Sequence, residues 1–140
     1  MSFSERFGGT ERLFGRQETQ WLSESHFVVI GVGGVGSWAA EALARTAIGK
    51  ITLIDLDDVC ITNTNRQIHA TTQTVGALKV EAMAERIKLI NPSCDVHAVM
   101  DFITTENLGA LIPEGVDGVI DAIDSIKPKA ALIAHCRRNK

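Results

Sequence analysis

Apolar positions along the chain change period several times. Phe27-Val28-Val29-Ile30 is a continuous run closed by Gly31. A run this short and unalternating predicts a strand covered on both faces. Trp38, Ala39, Ala42, Leu43 and Thr46 then recur at helical spacing, with Glu41 and Arg45 four apart, and Gly49 closes the segment. Ile51-Thr52-Leu53-Ile54 predicts a second strand, ending at Asp55. Strand, helix and strand within about 30 residues predict a βαβ unit with parallel strands.

From Leu56 to Thr74 no period holds. Most connections in compact domains run about 2–6 residues, so a stretch this long points to a functional loop. Gly76 to Ile90 is helical again: Val80, Met83, Ala84, Ile87 and Ile90 form one stripe, and Asn91-Pro92 stops it. Asp95 to Phe102 alternates, which predicts a strand with one wet face near a sheet edge. Thr105 to Ile112 predicts a short helix capped by Thr104 or Thr105. Val116 to Ile123 predicts a fourth strand, and Pro128 suits the first turn of a last helix, Lys129 to Arg138. Phe3, Phe7, Leu13, Phe14, Trp21 and Leu22 make residues 1–26 an N-terminal helical segment. The element order predicts an α/β fold, a Rossmann-like doubly wound and mainly parallel sheet of order 3-2-1-4. Such sheets usually continue past four strands. Residues 27–140 are therefore expected to be the N-terminal part of a domain that runs beyond Lys140.

Composition narrows the class. Of 140 residues, 45% are hydrophobic and 22% charged, which is globular and not disordered. Lys plus Arg is 14 against 17 Asp plus Glu, a net charge of −3. That balance gives no support to binding of nucleic acid or anionic membranes through bulk charge, although the last residues, from Lys127 to Lys140, are basic. Cys60, Cys94 and Cys136 form no CxxC, so neither a zinc ribbon nor a disulfide framework is indicated and a reducing, cytoplasmic setting is expected. No apolar run approaches the roughly 20 residues of a bilayer span, so no membrane segment is expected.

The candidate chemistry begins at Gly31-Val32-Gly33-Gly34-Val35-Gly36. Gly31 permits a tight turn, Gly33 and Gly34 let backbone approach a phosphate, and Gly36 allows close helix–strand packing. The helix that follows offers its N-terminus to an anion. Asp55 lies 19 residues beyond Gly36 at the end of the next strand, where a carboxylate accepts from ribose hydroxyls. A nicotinamide (NAD) dehydrogenase domain would share all of this. Asn63, Arg66 and Lys79 add more: Arg brings a fork and Lys a point charge to phosphate oxygens. Asp124 ends the fourth strand, beside the first, where a carboxylate suits Mg²⁺. Alone, Arg66 and Lys79 would read as solvated and Asp124 as a helix cap. Together, at one crevice, they suggest phosphate chemistry. His69 and His135 read as structural or exposed, Cys60 and Cys136 as inert thiols, and Trp38 and Met83 as core or interface filler.

The segments GVGGVGSW, LIDLDDVCITNTNRQ, VGALKVE and IDAIDS together resemble the adenylating domain of the ubiquitin-activating-type (ThiF/MoeB/HesA-like) superfamily. RFGGTERLFG and GSWAAEALART resemble most the branch of tRNA threonylcarbamoyladenosine dehydratases. The resemblance implies an ATP- and Mg²⁺-dependent enzyme that adenylates a carboxylate. In that branch the carboxylate belongs to a modified tRNA adenosine and then cyclises. In the sulfur-carrier activators it is the C-terminus of a ubiquitin-like protein, and those enzymes carry CxxC pairs that are not seen here. By the same resemblance Gly34 lies under the phosphates, in a cofactor-binding loop with Gly31, Gly33 and Gly36, and Asp55 lies on the ribose. Asn63, Arg66 and Lys79 hold phosphate charge, Asp124 binds Mg²⁺, and Ser125 lines the nucleotide. The enzyme would be a homodimer in which Arg12, with Arg6 as alternate, enters the neighbouring subunit's site.

Overall fold

The structure, a computed structural model, describes residues 1–123 and 126–139. The N-terminal segment forms two helices, α1 (Phe3–Phe14) and α2 (Arg16–Glu24). The Ser2 side chain accepts from the Glu5 amide while Glu5 reaches back to the Ser2 amide, a reciprocal cap that starts α1. There follow β1 (His26–Ile30), α3 (Gly36–Arg45), β2 (Lys50–Ile54), a 3₁₀ turn (Ile61–Asn65), α4 (Lys79–Ile90), β3 (Asp95–Val99), α5 (Leu108–Leu111), β4 (Gly118–Asp121) and α6 (Ile126–Arg138). All strand pairings are parallel, in the order β3-β2-β1-β4. That is the predicted order, with β3 at one edge.

Alternation along the strands feeds two cores. Val29, Ile51 and Leu53 meet Ala40 and Ala44 of α3 and Val80, Met83 and Ile87 of α4. Val28, Ile30 and Ile54 meet Ile103, Leu108, Ile112 and, from α6, Leu132. Each fully buried side chain of this kind contributes roughly 1.5–3 kcal/mol of transfer free energy, and burial on both faces centres on β1 and β2, while β3 is largely exposed. Glu41 of α3 is buried but takes Arg45 Nε at 2.8 Å and Arg86 Nε at 2.6 Å, tying α3 to α4.

Several elements are shorter than the sequence suggests, for identifiable reasons. β3 stops at Val99, not Phe102, because its partner among the described residues, β2, ends at Ile54 opposite Val99. β4 covers Gly118–Asp121 within the expected Val116 to Ile123, because β1 pairs only with those four residues. α4 begins at Lys79, not Gly76, because Gly76 has φ +91° and the antiparallel bridge of Leu78 with Asp58 commits the Ala77 carbonyl to the Val59 amide and the Lys79 amide to the Asp57 carbonyl. α5 starts after Asn107. Thr104 Oγ1 accepts from the Asn107 amide, and Asn107 Oδ1 from the Thr104 amide. The final helix begins earlier than expected, at Ile126, with Pro128 in its first turn.

Candidate nucleotide site at the glycine loop

The sheet order reverses beside β1, so the C-terminal ends of β1, β2 and β4 border a crevice of the kind that takes ligands in open α/β sheets. The glycine loop enters it from β1. Gly31 has φ +88°, and a Cβ there would stand 2.5 Å from the Ala122 carbonyl oxygen. A Cβ on Gly36 would overlap the Gly31 carbonyl oxygen. Both glycines are thus required by the turn itself. Gly33 and Gly34 differ. A Cβ there would meet Gln67 Nε2 at 3.7 Å and the Arg66 stem at 3.6 Å, ordinary contact distances. Among the described residues, no crowding demands glycine at these two positions.

The irregular stretch after β2 is not loose. Its ends pair, Val59 N donating to the Ala77 carbonyl at 2.7 Å and Gly76 N to that of Val59 at 2.9 Å. Its middle is fastened to the loop and α3. Trp38 Nε1 donates to the Arg66 carbonyl at 2.8 Å, and the Ile68 amide to Ser37 Oγ at 3.3 Å. His69 Nε2 bonds the Val32 carbonyl at 2.8 Å. Trp38, expected as core or interface filler, is 52% exposed and serves as this fastening; Met83 is in the core. Trp38 and Ser37 left no periodic signal of that role.

The predicted site residues fall as follows. Asp55 Oδ2 accepts from the Val32 amide at 2.7 Å and Oδ1 from the Asp57 amide at 2.8 Å. Asn63 is buried, and its Oδ1 accepts from the Cys60 amide at 2.8 Å, capping the 3₁₀ turn. Arg66 is exposed and lies over Gly34, its Nη1 donating to Asn65 Oδ1 at 2.9 Å and the Thr62 carbonyl at 3.2 Å. Lys79 is only 7% exposed, and its ion pair is a long one, Nζ to Asp57 Oδ2 at 4.0 Å. A buried ammonium so weakly compensated favours an anion beside it. Arg12 is exposed on the last turn of α1, beside Gly8 and Gly9, and bonds no site residue among those described. Arg6 is engaged elsewhere, donating to the Ile90 carbonyl at 2.9 Å. Asp124 and Ser125 lie outside the described residues. Ala122 and Ile123 carry the chain past Gly31, and Asp121 pairs with Lys129 at 2.9 Å.

Local electrostatics bear on three further groups. Burial holds the His69 imidazole below its ordinary value; the Val32 carbonyl and Asp55 oppose this, and Lys79 adds to it. Cys60 is exposed and its thiol is lowered by a hydrogen bond from Thr62, whereas burial pushes Cys94 up to about 11. Among the described residues no group of three or more His, Cys, Asp or Glu side chains could hold a metal ion, and no helix is long and apolar enough to cross a membrane.

The comparisons with known proteins meet this geometry. The chain is 61% identical over 139 residues to tRNA threonylcarbamoyladenosine dehydratase of Escherichia coli, covering 99% of this chain and 52% of that protein. It is 35% identical over 115 residues to molybdopterin-synthase adenylyltransferase of the same organism, covering 82% of this chain and 46% of that protein. The crystal structure of E. coli tRNA N6-threonylcarbamoyladenosine dehydratase in complex with ATP superposes with a TM-score of 0.96 at 61% identity, over 98% of this chain and 56% of that one. The chain thus spans about half the length of the relatives it matches. The profile of the ThiF family matches residues 10–140, which includes the glycine loop, Asp55, the fastened segment and Lys79. The chain belongs to the ThiF family.

Proposed function

We propose that this chain is the nucleotide-binding half of an enzyme that adenylates a carboxylate with ATP. The carboxylate is that of the threonylcarbamoyl group on a modified tRNA adenosine, which then cyclises with loss of AMP. The observation that carries the reading is a pair of cations near the C-terminal ends of β1 and β2: Arg66 over Gly34, and the buried, poorly compensated Lys79 beside Asp57, two residues past Asp55. A nicotinamide site has only to hold a pyrophosphate and has no use for two cations there. The choice of carboxylate follows the relatives. Identity is 61% to a tRNA-modifying dehydratase and 35% to a molybdopterin-synthase adenylyltransferase.

The chemistry follows from charge. A carboxylate oxygen attacks the α-phosphorus of ATP, a P–O bond forms, and pyrophosphate leaves in line. The nucleophile is already ionised at neutral pH, so no general base is needed. What the protein must supply is alignment and neutralisation of negative charge on both partners. Gly33 and Gly34 amides lie where phosphates approach, Asp55 faces the ribose, Asn63 and Arg66 hold phosphate oxygens, and Lys79 screens the developing charge. Mg²⁺ is commonly held by one or two carboxylates plus phosphate oxygens, and Asp124 would be the carboxylate that holds it. Bound there, it would neutralise charge on the phosphates.

The reading is tested on the full-length protein by ATP–pyrophosphate exchange with and without tRNA bearing threonylcarbamoyladenosine. Exchange that requires the modified tRNA is the expected result. Asp124→Ala should reduce it by at least 10²-fold, the size typical for loss of one charge-stabilising group, with the fold intact by circular dichroism. Thermal stabilisation by NADH but not by ATP with Mg²⁺ would overturn the adenylation reading. Exchange supported instead by a ubiquitin-like protein's C-terminus would move the substrate to the sulfur-carrier class.

A further inference from the structure

The glycine loop has a mechanical difficulty. Val32 sits between Gly31, at φ +88°, and Gly33. Residues flanked by glycine on both sides have little steric restraint on the orientation of their peptide groups. Yet a backbone cradle works only if its N–H groups are already aimed when the anion arrives. Val32 makes no backbone–backbone hydrogen bond among the described residues; both of its main-chain groups are held by side chains. Its N–H goes to Asp55 Oδ2 at 2.7 Å, from the end of β2, and its carbonyl to His69 Nε2 at 2.8 Å, from the fastened segment. Its own side chain is fully buried in the core between β1, α3 and α4.

The tautomer of His69 follows from the partner. A carbonyl only accepts, so Nε2 must carry the proton. In the neutral ring Nδ1 is then an acceptor, and it is buried without a hydrogen-bond partner among the described residues. Leaving a buried acceptor unmade is costly. The ring is 2% exposed, and the hydroxyl of Thr74 holds the His69 carbonyl. An apolar side chain would fill such a space at lower cost. What the histidine adds is one donor, Nε2–H, aimed at the glycine loop.

We propose that His69 is a positioning residue for the nucleotide loop: through the Val32 carbonyl it fixes the Val32–Gly33 peptide, next to the Gly31–Val32 peptide that Asp55 fixes through the Val32 amide, and so holds the Gly33 amide in its binding orientation, while Ser37 holds the following peptide through the Gly33 carbonyl. This rests on the nucleotide reading above, and the experiment separates the two. His69→Gln and His69→Asn are compared with wild type in the full-length protein. A glutamine amide reaches as far as Nε2 and can donate to Val32; an asparagine amide reaches only as far as Nδ1 and cannot. Hydrogen–deuterium exchange of the free protein should quicken over residues 31–36 in His69→Asn and not in His69→Gln, with β2 and β3 unchanged in both. The Kd for ATP with Mg²⁺ should rise about tenfold in His69→Asn, the equivalent of one hydrogen bond, and return to near wild type in His69→Gln.

Equal exchange over 31–36 in wild type and His69→Asn would overturn the proposal whatever ATP does. Altered exchange with wild-type ATP affinity in His69→Asn would remove the nucleotide role from the clamp. Altered exchange in a wild-type background that binds no ATP would leave the clamp standing and defeat the nucleotide reading. Should His69→Asn fail to fold, the ¹⁵N chemical shifts of the wild-type ring decide. A protonated Nε2 and a bare Nδ1 support the proposal, and the opposite tautomer overturns it.

Discussion

Asp55 illustrates how a single residue can serve both a fold and a ligand. Both of its oxygens already accept backbone N–H groups, from Val32 and Asp57. Each carboxylate oxygen has a second lone pair, so ribose hydroxyls remain within its capacity. Asp55→Ala should therefore weaken ATP by about 1.5–3 kcal/mol, the range for hydrogen bonds to a charged group. Inorganic tripolyphosphate, which has no ribose, should lose less than ATP, but more than nothing, because the Val32 amide is released. Calorimetric titration of both ligands checks this. Equal losses would mean that Asp55 acts through the loop alone. The sequence made Asp55 legible through its spacing from the glycines. Its backbone bonds were not legible, because nothing in spacing reveals which N–H a carboxylate faces. The same limit hid His69. A lone histidine in an aperiodic stretch reads as structural or exposed, and only the Val32 carbonyl 37 residues away gives it a place.

At the scale of elements, periodicity and punctuation located the four strands and α3 to α6 but not where each stops; residues 1–26 read as one helical segment, and the 3₁₀ turn at Ile61–Asn65 was missed. β3 and β4 end where their neighbours end, and α4 starts where an antiparallel bridge releases it. These are non-local causes. The stretch from Leu56 to Thr74 was legible only as an exception. Its order comes from side chain–backbone bonds of Trp38, Ser37 and His69, which have no period. The α3–α4 contact was half legible. Glu41 and Arg45 stand four apart on one helix, but the closer partner, Arg86, comes from another. Burial raises the Glu41 carboxyl, and the Arg86 and Arg45 hydrogen bonds outweigh it, so the net shift is downward. A carboxyl lowered on folding contributes stability that is present above its unfolded value, about 4.3, and is lost as pH falls through its folded one. Glu41→Gln should cost about 1–2 kcal/mol at pH 7, a figure that allows for the exposure of both arginines. The cost should shrink as pH falls below about 4. Urea melts of both proteins at pH 7 and pH 3.5 measure this. A constant difference would show that the Arg86 and Arg45 contacts contribute no charge-dependent stability.

At the scale of the whole molecule, what the chain leaves uncovered bears on assembly. Leu13, Phe14 and Trp21 are all exposed on the N-terminal helices, and Arg12 lies among them. Arg12 bonds no site residue of its own chain among those described, whereas Arg6 is already held by Ile90. Exposed apolar side chains beside a guanidinium that bonds no site residue among those described suit an isologous contact in which each subunit would offer Arg12 to the other. A homodimer, which the sequence resemblance implies, would make a numerical prediction. Arg12→Ala and Asp124→Ala homodimers should each be inactive in ATP–pyrophosphate exchange, because every site in them lacks one group. Mixed and re-equilibrated in equal amounts, half of the dimers are hybrids. Each hybrid has one site that joins the intact Asp124 of one subunit to the intact Arg12 of the other. About a quarter of wild-type activity should therefore return. Exchange kinetics before and after mixing, alongside sedimentation of each protein, give the answer. No recovery in a demonstrated hybrid would place Arg12 outside the shared site, and an active monomer would remove the shared site altogether.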